Sequence, residues 1–199
     1  MADDKRGRED QARDADRRQR QRDVTAELER MDETEPPVPE SVLDAVEDDL
    51  AVVSFPATGA EIVAAVGDRT VDSPARTHTV ADLVPDTETE RFDSPAAVRV
   101  RIQRPSIAAA MKRVVEAIAS IPNTELGTSQ REAYEKTFRE LEDIDADDEN
   151  EGIKIVADWI VDRIREKERV PGSRDVRREA AEFCRANGYE IRNDEWLGI

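Results

Sequence analysis

Charged side chains make up 39% of this 199-residue chain and aromatic ones only 4%. That ratio limits the fold before any motif is considered. Aromatic rings are the largest apolar side chains, so a chain with so few of them must fill its core with Val, Ile, Leu and Ala. The length allows one domain or two small ones. Any such core is thin, and it must sit under a surface crowded with charge.

The kind of charge is equally selective. Asp and Glu number 47 against 30 Lys and Arg, a formal net charge of −17, and only five of the basic residues are Lys (Lys5, Lys112, Lys136, Lys154 and Lys167). Carboxylates hold water and cations tightly, whereas Lys adds a long mobile apolar stem. At molar salt the Debye length is about 3 Å, so the self-repulsion of such a chain is largely screened. The composition therefore points to the interior of a salt-accumulating archaeon. The apolar runs are a few residues long, against the ~20 needed to span a bilayer, so no membrane association is expected. The N-terminal MADDKRGREDQ has no apolar stretch of the kind that directs secretion. Cys184 is the only cysteine and has no internal disulfide partner, which fits a reducing cytoplasm.

The pattern predicts a mainly α protein with minor β (α+β) in four segments. Residues 1–40 read as a charged disordered arm with a Pro-rich linker at Pro36-Pro37-Val38-Pro39, because nothing there offsets the entropy of ordering. One or two helical turns are expected at 23–31. Residues 41–122 read as a small α+β domain. Val42, Val46 and Leu50 share a helical face, and AVVSFP (51–56) reads as extended. Thr58-Gly59-Ala60-Glu61 is a capping box opening a helix that stops at Gly67. Residues 69–78 form a hairpin candidate, Thr79-Val80-Ala81-Asp82 is a second cap, and Ser94-Pro95 starts another helix. From Ser106 the cleanest amphipathic helix carries Ile107, Met111, Val114, Val115, Ile118 and Ile121. Residues 123–151 read as a connecting helix, capped at Thr128 or Ser129, and an acidic hinge over Asp143 to Glu151. Residues 152–199 read as a helical hairpin: one helix with Ile153, Val156, Ile160 and Ile164, then a second, capped by Ser173, with Val176, Ala180, Phe183 and Cys184. Asn187-Gly188 stops that helix, and Ile191, Trp196, Leu197 and Ile199 return as an extended flap.

Several of these features occur together in a known setting. Ser54-Phe55-Pro56-Ala57-Thr58, Gly67-Asp68, Thr79-Val80-Ala81-Asp82-Leu83-Val84 and Phe92-Asp93-Ser94-Pro95-Ala96-Ala97-Val98 make residues 52–104 resemble a small acidic domain family of unknown function found across haloarchaeal proteins. The resemblance implies a compact domain and a host lineage. Its residues cap and pack, and it supplies no activity or site residues to carry over.

Motifs of chemistry are scarce. The chain has no GxxxxGK[ST], GxGxxG, HExxH or CxxC, and with His78 as its one histidine it lacks the ligands of a His- or Cys-rich zinc site. His78 reads as an exposed structural residue and Cys184 as a core residue. The acidic run lacks calcium-loop spacing. Catalytic, cofactor and metal residues are therefore expected to be none. One feature exceeds this background. Residues 153–199 hold ten basic and ten acidic residues, while 23–152 hold 12 and 31. In the second helix of this neutral segment Arg174, Arg178 and Arg185 fall within about 40° at 100° per residue, with Arg177 beside them. Two helices joined by a short turn, the second bearing an Arg stripe, is how a helix-turn-helix presents its recognition helix.

Two functions stay open at this level: a non-enzymatic intracellular interaction or adaptor protein with a protein partner, and a DNA-associated transcriptional regulator acting through residues 153–199. The stripe Arg174, Arg177, Arg178 and Arg185 is the candidate nucleic-acid-binding site in the second. An enzyme is the least expected class, because no nucleophile, base and metal set converges.

Stability should depend on salt. Dilute buffer unscreens the acidic 23–152 segment against a net stability of only ~5–15 kcal/mol. Circular dichroism should give a lower melting temperature in dilute buffer than in molar KCl. Equal melting temperatures would remove the argument for salt adaptation.

Overall fold

In the computed structural model, residues 36–74, 76–144 and 150–189 are described. Residues 1–35 of the charged arm, with the turns expected at 23–31, the centre of the acidic hinge at 145–149 and the flap from Ile191 lie outside them. The Pro-rich segment lies inside and is not the disordered linker expected over 36–40: Val38 is only 3% exposed and packs in the core, and Glu40 already begins a helix. The described chain is mainly α with minor β: eight α-helices and two two-stranded antiparallel ladders. No helix among the described residues is long and apolar enough to cross a membrane.

Helix α1 (Glu40–Asp49) follows Pro39 directly and buries Leu43 and Val46, with Leu50 continuing the same face. Val42, expected on that face, is only half-buried. The segment after it is not the extended stretch that its β-branched residues suggest. Leu50–Val52 winds into a 3-10 turn, Val52 stays 78% exposed, and the Phe55–Pro56 peptide is cis. Strand β1 (Ala57–Thr58) then leads into α2 (Gly59–Val66). The capping box forms as its spacing predicts. The Thr58 hydroxyl accepts from the Glu61 N–H at 3.2 Å, and the Glu61 carboxylate accepts from the Thr58 N–H at 2.7 Å.

Strands β2 (Thr70–Asp72) and β3 (Thr77–Thr79) pair with Val71 opposite His78. Helix α3 (Val80–Leu83) carries a second capping box, Thr79 with Asp82. Strand β4 (Arg91–Phe92) pairs with β1. Helix α4 (Pro95–Ile102) starts at the Ser94 cap, with Pro95 where no N–H is needed.

Helix α5 (Pro105–Ala119) opens one residue earlier than Ser106, again on a Pro. It serves two apolar clusters. Ala108 joins one made by α1 to α4 and their strands, with Leu50, Ile62, Val71, Leu83, Phe92 and Ile102. Ile107, Ala110, Met111, Val114 and Ile118 join the other, made with α6 (Thr128–Ile144), α7 (Glu151–Lys167) and α8 (Ser173–Asn187). The packing therefore continues across positions 122 and 151, and α5 lies against α7 as well as against α3 and α4.

The C-terminal helices have well-defined ends. Thr128 is the first residue of α6 rather than its cap, and the Gly127 carbonyl accepts from the Gln130 and Arg131 N–H groups at 3.0 and 2.9 Å. Gly172, not Ser173, is the N-cap of α8, and no side chain caps it. The turn before α8 is instead held from α6: the Tyr134 hydroxyl donates to the Pro171 carbonyl at 2.5 Å, and Gln130 donates to the same oxygen. At the other end Gly188 is left-handed (φ 77°), and the Tyr189 N–H reaches the Cys184 carbonyl at 2.9 Å, the Schellman arrangement expected at Asn187-Gly188.

Gly59 generates a test. Its N–H donates to the Glu90 carbonyl at 2.9 Å, and a Cβ built there would lie 2.0 Å from the Pro85 carbonyl oxygen. Backbone is on both sides, so neither can yield without breaking the seat of α2. Gly59→Ala should destabilise the protein by at least ~1–3 kcal/mol in chemical denaturation, despite the higher helix propensity of Ala. An unchanged midpoint would show that α2 is not seated on residues 85–90.

Candidate nucleic-acid interface and charged seam

Helix α8 buries Val176, Ala180, Ala181, Phe183 and Cys184 and leaves Arg174, Arg178 and Arg185 exposed. The predicted stripe is therefore on the surface, but at the border of the buried face and not opposite it. Ala181, which the amphipathic pattern did not assign to the core, is fully buried and lies only about 20° from Arg174 at 100° per residue. The arginine line thus runs along one edge of the exposed arc. Its centre is held by Asp175 and Glu182, both exposed. Arg178 pairs with Asp175 at 3.3 Å. Arg177 turns inward and is half-buried, with its Nε buried and without a hydrogen bond. On the far edge of the arc, burial first and then the nearby Glu182 raise the Glu179 carboxyl above its ordinary range, against the pull of Arg163 on α7. Arg163 itself lies over the Trp159 ring at 5.2 Å.

A second concentration of charge was not visible in the sequence. Where α4 and β4 meet α6, Arg131 donates to Glu90, Arg101 donates to Glu135 at 2.5 Å, and Arg104 donates to Glu142 at 3.1 Å. Arg101 also approaches Glu90 at 3.6 Å and lies 6.0 Å from the centre of the Phe92 ring. Glu90 and Arg104 are each only 8% exposed. The partners are 34 to 41 residues apart in sequence. Only the spacing of Arg131, Glu135 and Glu142 along one side of α6 hints at the seam. Burial chiefly, then the neighbouring Arg131 guanidinium, lowers Arg101 from its ordinary value, against the pull of Glu135 and Glu90. Burial chiefly raises Glu142, opposed by Arg104.

Cys184 is buried in the core, as its helical position predicts. His78 is buried too, which corrects the expectation of an exposed residue. The β2–β3 register places it beside inward-facing Val71, so it takes the inner side of the hairpin. Arg76 donates from Nε to His78 Nε2 at 3.0 Å. That nitrogen must therefore be unprotonated, with the imidazole proton on Nδ1. No group of three or more His, Cys, Asp or Glu among the described residues is placed to hold a metal ion.

His78 generates a pH test. Burial chiefly, and Arg76 next, lower its pKa from the ordinary 6.5. Below about pH 6.5 the unfolded chain takes up a proton that the folded chain refuses, so folding stability falls as pH drops toward the folded pKa. His78→Gln keeps an acceptor for Arg76 but does not titrate. Between pH 7 and about pH 5.5 the variant should lose less stability than wild type in denaturant titrations. Equal losses would assign the acid sensitivity to other groups.

No curated protein and no solved structure matches the chain. The stretch running from α1 through most of α5, which holds the first apolar cluster, Glu90, Arg101 and Arg104, has a match. Residues 43–114 match the model of a family of unknown function, DUF5789.

Proposed function

We propose that this chain is a non-enzymatic interaction protein that works inside a salt-accumulating cell, with the exposed face of α8 as its docking surface for a protein partner. The observation that carries this reading is the order of charges across that face. Asp175 and Glu182 stand at its centre, Arg174, Arg178 and Arg185 along one edge, and Arg178 is already paired. Such alternation complements the mixed charge of a protein surface. A nucleic-acid backbone would meet the central carboxylates first, and phosphate contacts weaken steeply as salt rises. Charge complementarity of this kind sets partner choice more than raw affinity.

One observation favours DNA as the alternative, with the chain acting as a transcriptional regulator. Arg174 lies in the first turn of α8 and makes no ion pair among the described residues. The positive end of the helix dipole opposes a cation there, and the fold supplies no reason for it. A phosphate or a guanine edge would supply one.

Tagged full-length protein should be recovered from a high-salt lysate with and without nuclease. Two variants accompany wild type, Asp175→Lys with Glu182→Lys, and the triple Arg174→Ala, Arg178→Ala, Arg185→Ala. The proposal expects a protein that stays bound after nuclease and is lost with the charge-reversed pair. Nuclease-sensitive DNA recovery that is lost only with the triple variant overturns it in favour of DNA. Identical recovery by all three forms overturns any role for α8.

A further inference from the structure

Residues 50–67 hold one charged side chain, Glu61, where 39% of eighteen positions would be about seven. Part of this stretch fills the core, but much of it is surface. Val52 is 78% exposed, the highest value for a large apolar side chain among the described residues, and Ala51, Ala64 and Ala65 are exposed as well. A groove of about 540 Å³ lies beside Val52, between the end of α1 and the C-terminal half of α2. Its walls are Val52, Val63, Ala64, Ala65, Val66 and Ala81, and the charges it carries are Asp49, Asp68 and Arg69. Arg69 pairs with Asp49 at 2.9 Å, so the lining is close to neutral in a chain whose formal net charge is −17.

An exposed apolar patch with a polar rim marks a contact surface, and depletion of charge at the centre is what sets an interface core apart from the rest of a protein surface. The form of the patch indicates its occupant. A contact between identical chains needs a self-matching patch, in which residue i meets j and j meets i across a two-fold axis. This face has a projecting Val52 next to a groove lined by small and branched side chains, and neighbours of opposite charge, Asp68 and Arg69, on its rim. A two-fold axis through that rim sets Asp68 of each copy against Arg69 of the other. Elsewhere on so acidic a chain, two copies would bring carboxylates together; over this face they do not. We propose that this face joins two copies of the chain, Val52 of each seated in the groove of the other. The contact uses none of the α8 surface, so it stands or falls independently of the partner proposed for α8.

Sedimentation equilibrium of the full-length protein in molar KCl, over a wide range of concentration, reads the dimer directly. Wild type should show a reversible monomer–dimer equilibrium. Val52→Asp and Ala64→Glu, both at exposed positions, place a carboxylate inside the contact. Each should raise the dimer Kd about tenfold or more and leave the melting temperature of the monomer unchanged. Asp68→Arg should weaken the dimer as well, and adding Arg69→Asp should restore it, because the pair is then exchanged across the axis. The α8 variant Asp175→Lys with Glu182→Lys should dimerise as wild type does. A monomer at every concentration would overturn the proposal and leave the face to a different protein. A dimer untouched by Val52→Asp and Ala64→Glu, or one lost only in the α8 variant, would overturn it by moving the contact elsewhere. A double variant no tighter than Asp68→Arg alone would overturn the two-fold arrangement.

Discussion

Helix α5 has almost no side free of packing: Ile107, Ala108, Ala110, Met111, Val114, Val115 and Ile118 are all buried along its fifteen residues. A chain with so few aromatics has to take its burial from aliphatic side chains, each worth about 1.5–3 kcal/mol when fully buried. Placing one helix between two clusters lets its different faces serve both, Ala108 in one and Ile107, Ala110, Met111, Val114 and Ile118 in the other. The small residues Ala108 and Ala109 face the first cluster and let α3 and α4 come close, while the longer side chains reach α6 and α7. Polar ties fix the rotation of the helix. Lys112 reaches the Val84 carbonyl at 3.4 Å, and Glu116 accepts from the Asp86 N–H at 3.1 Å.

Beside that strut, α4 meets α6 through ions. An isolated buried ion pair often costs more in desolvation than it returns. Here the arrangement spreads the loss: Glu90 serves both Arg131 and Arg101, and Phe92 offers Arg101 an aromatic face. The Arg stems also cover apolar surface that a chain short of large side chains would otherwise leave wet. Buried and partly buried pairs of this kind are screened by salt far less than exposed ones. In a salt-rich cell they would keep much of their direction-setting value where surface pairs lose it.

What could be read in the sequence was local. The capping boxes at Thr58 and Thr79, the Ser94-Pro95 start, the hairpin and the Gly188 stop each depend on residues within nine positions of one another, and all are present. What could not be read was long-range. Three Arg–Glu pairs more than thirty residues apart look like background in a chain that is 39% charged. His78 has no apolar neighbour in sequence, and only the ladder register turns it inward. Nothing local reveals that the Pro171 carbonyl, just before α8, is held by Gln130 and Tyr134 from about forty residues upstream.

The candidate site shows the same division with a sharper consequence. The angular spacing of Arg174, Arg178 and Arg185 is a property of any helix and was correct. Whether the stripe faces outward depends on the buried arc, and one small residue, Ala181, moves the edge of that arc beside the arginines. The three then differ physically. Arg178 has Asp175. Arg185 lies in the last turn, where the helix dipole favours a cation. Among the described residues Arg174 has neither support, and it sits where the dipole opposes it. Arg174 is therefore the member of the stripe that the described fold stabilises least, and the three arginines are not physically equivalent.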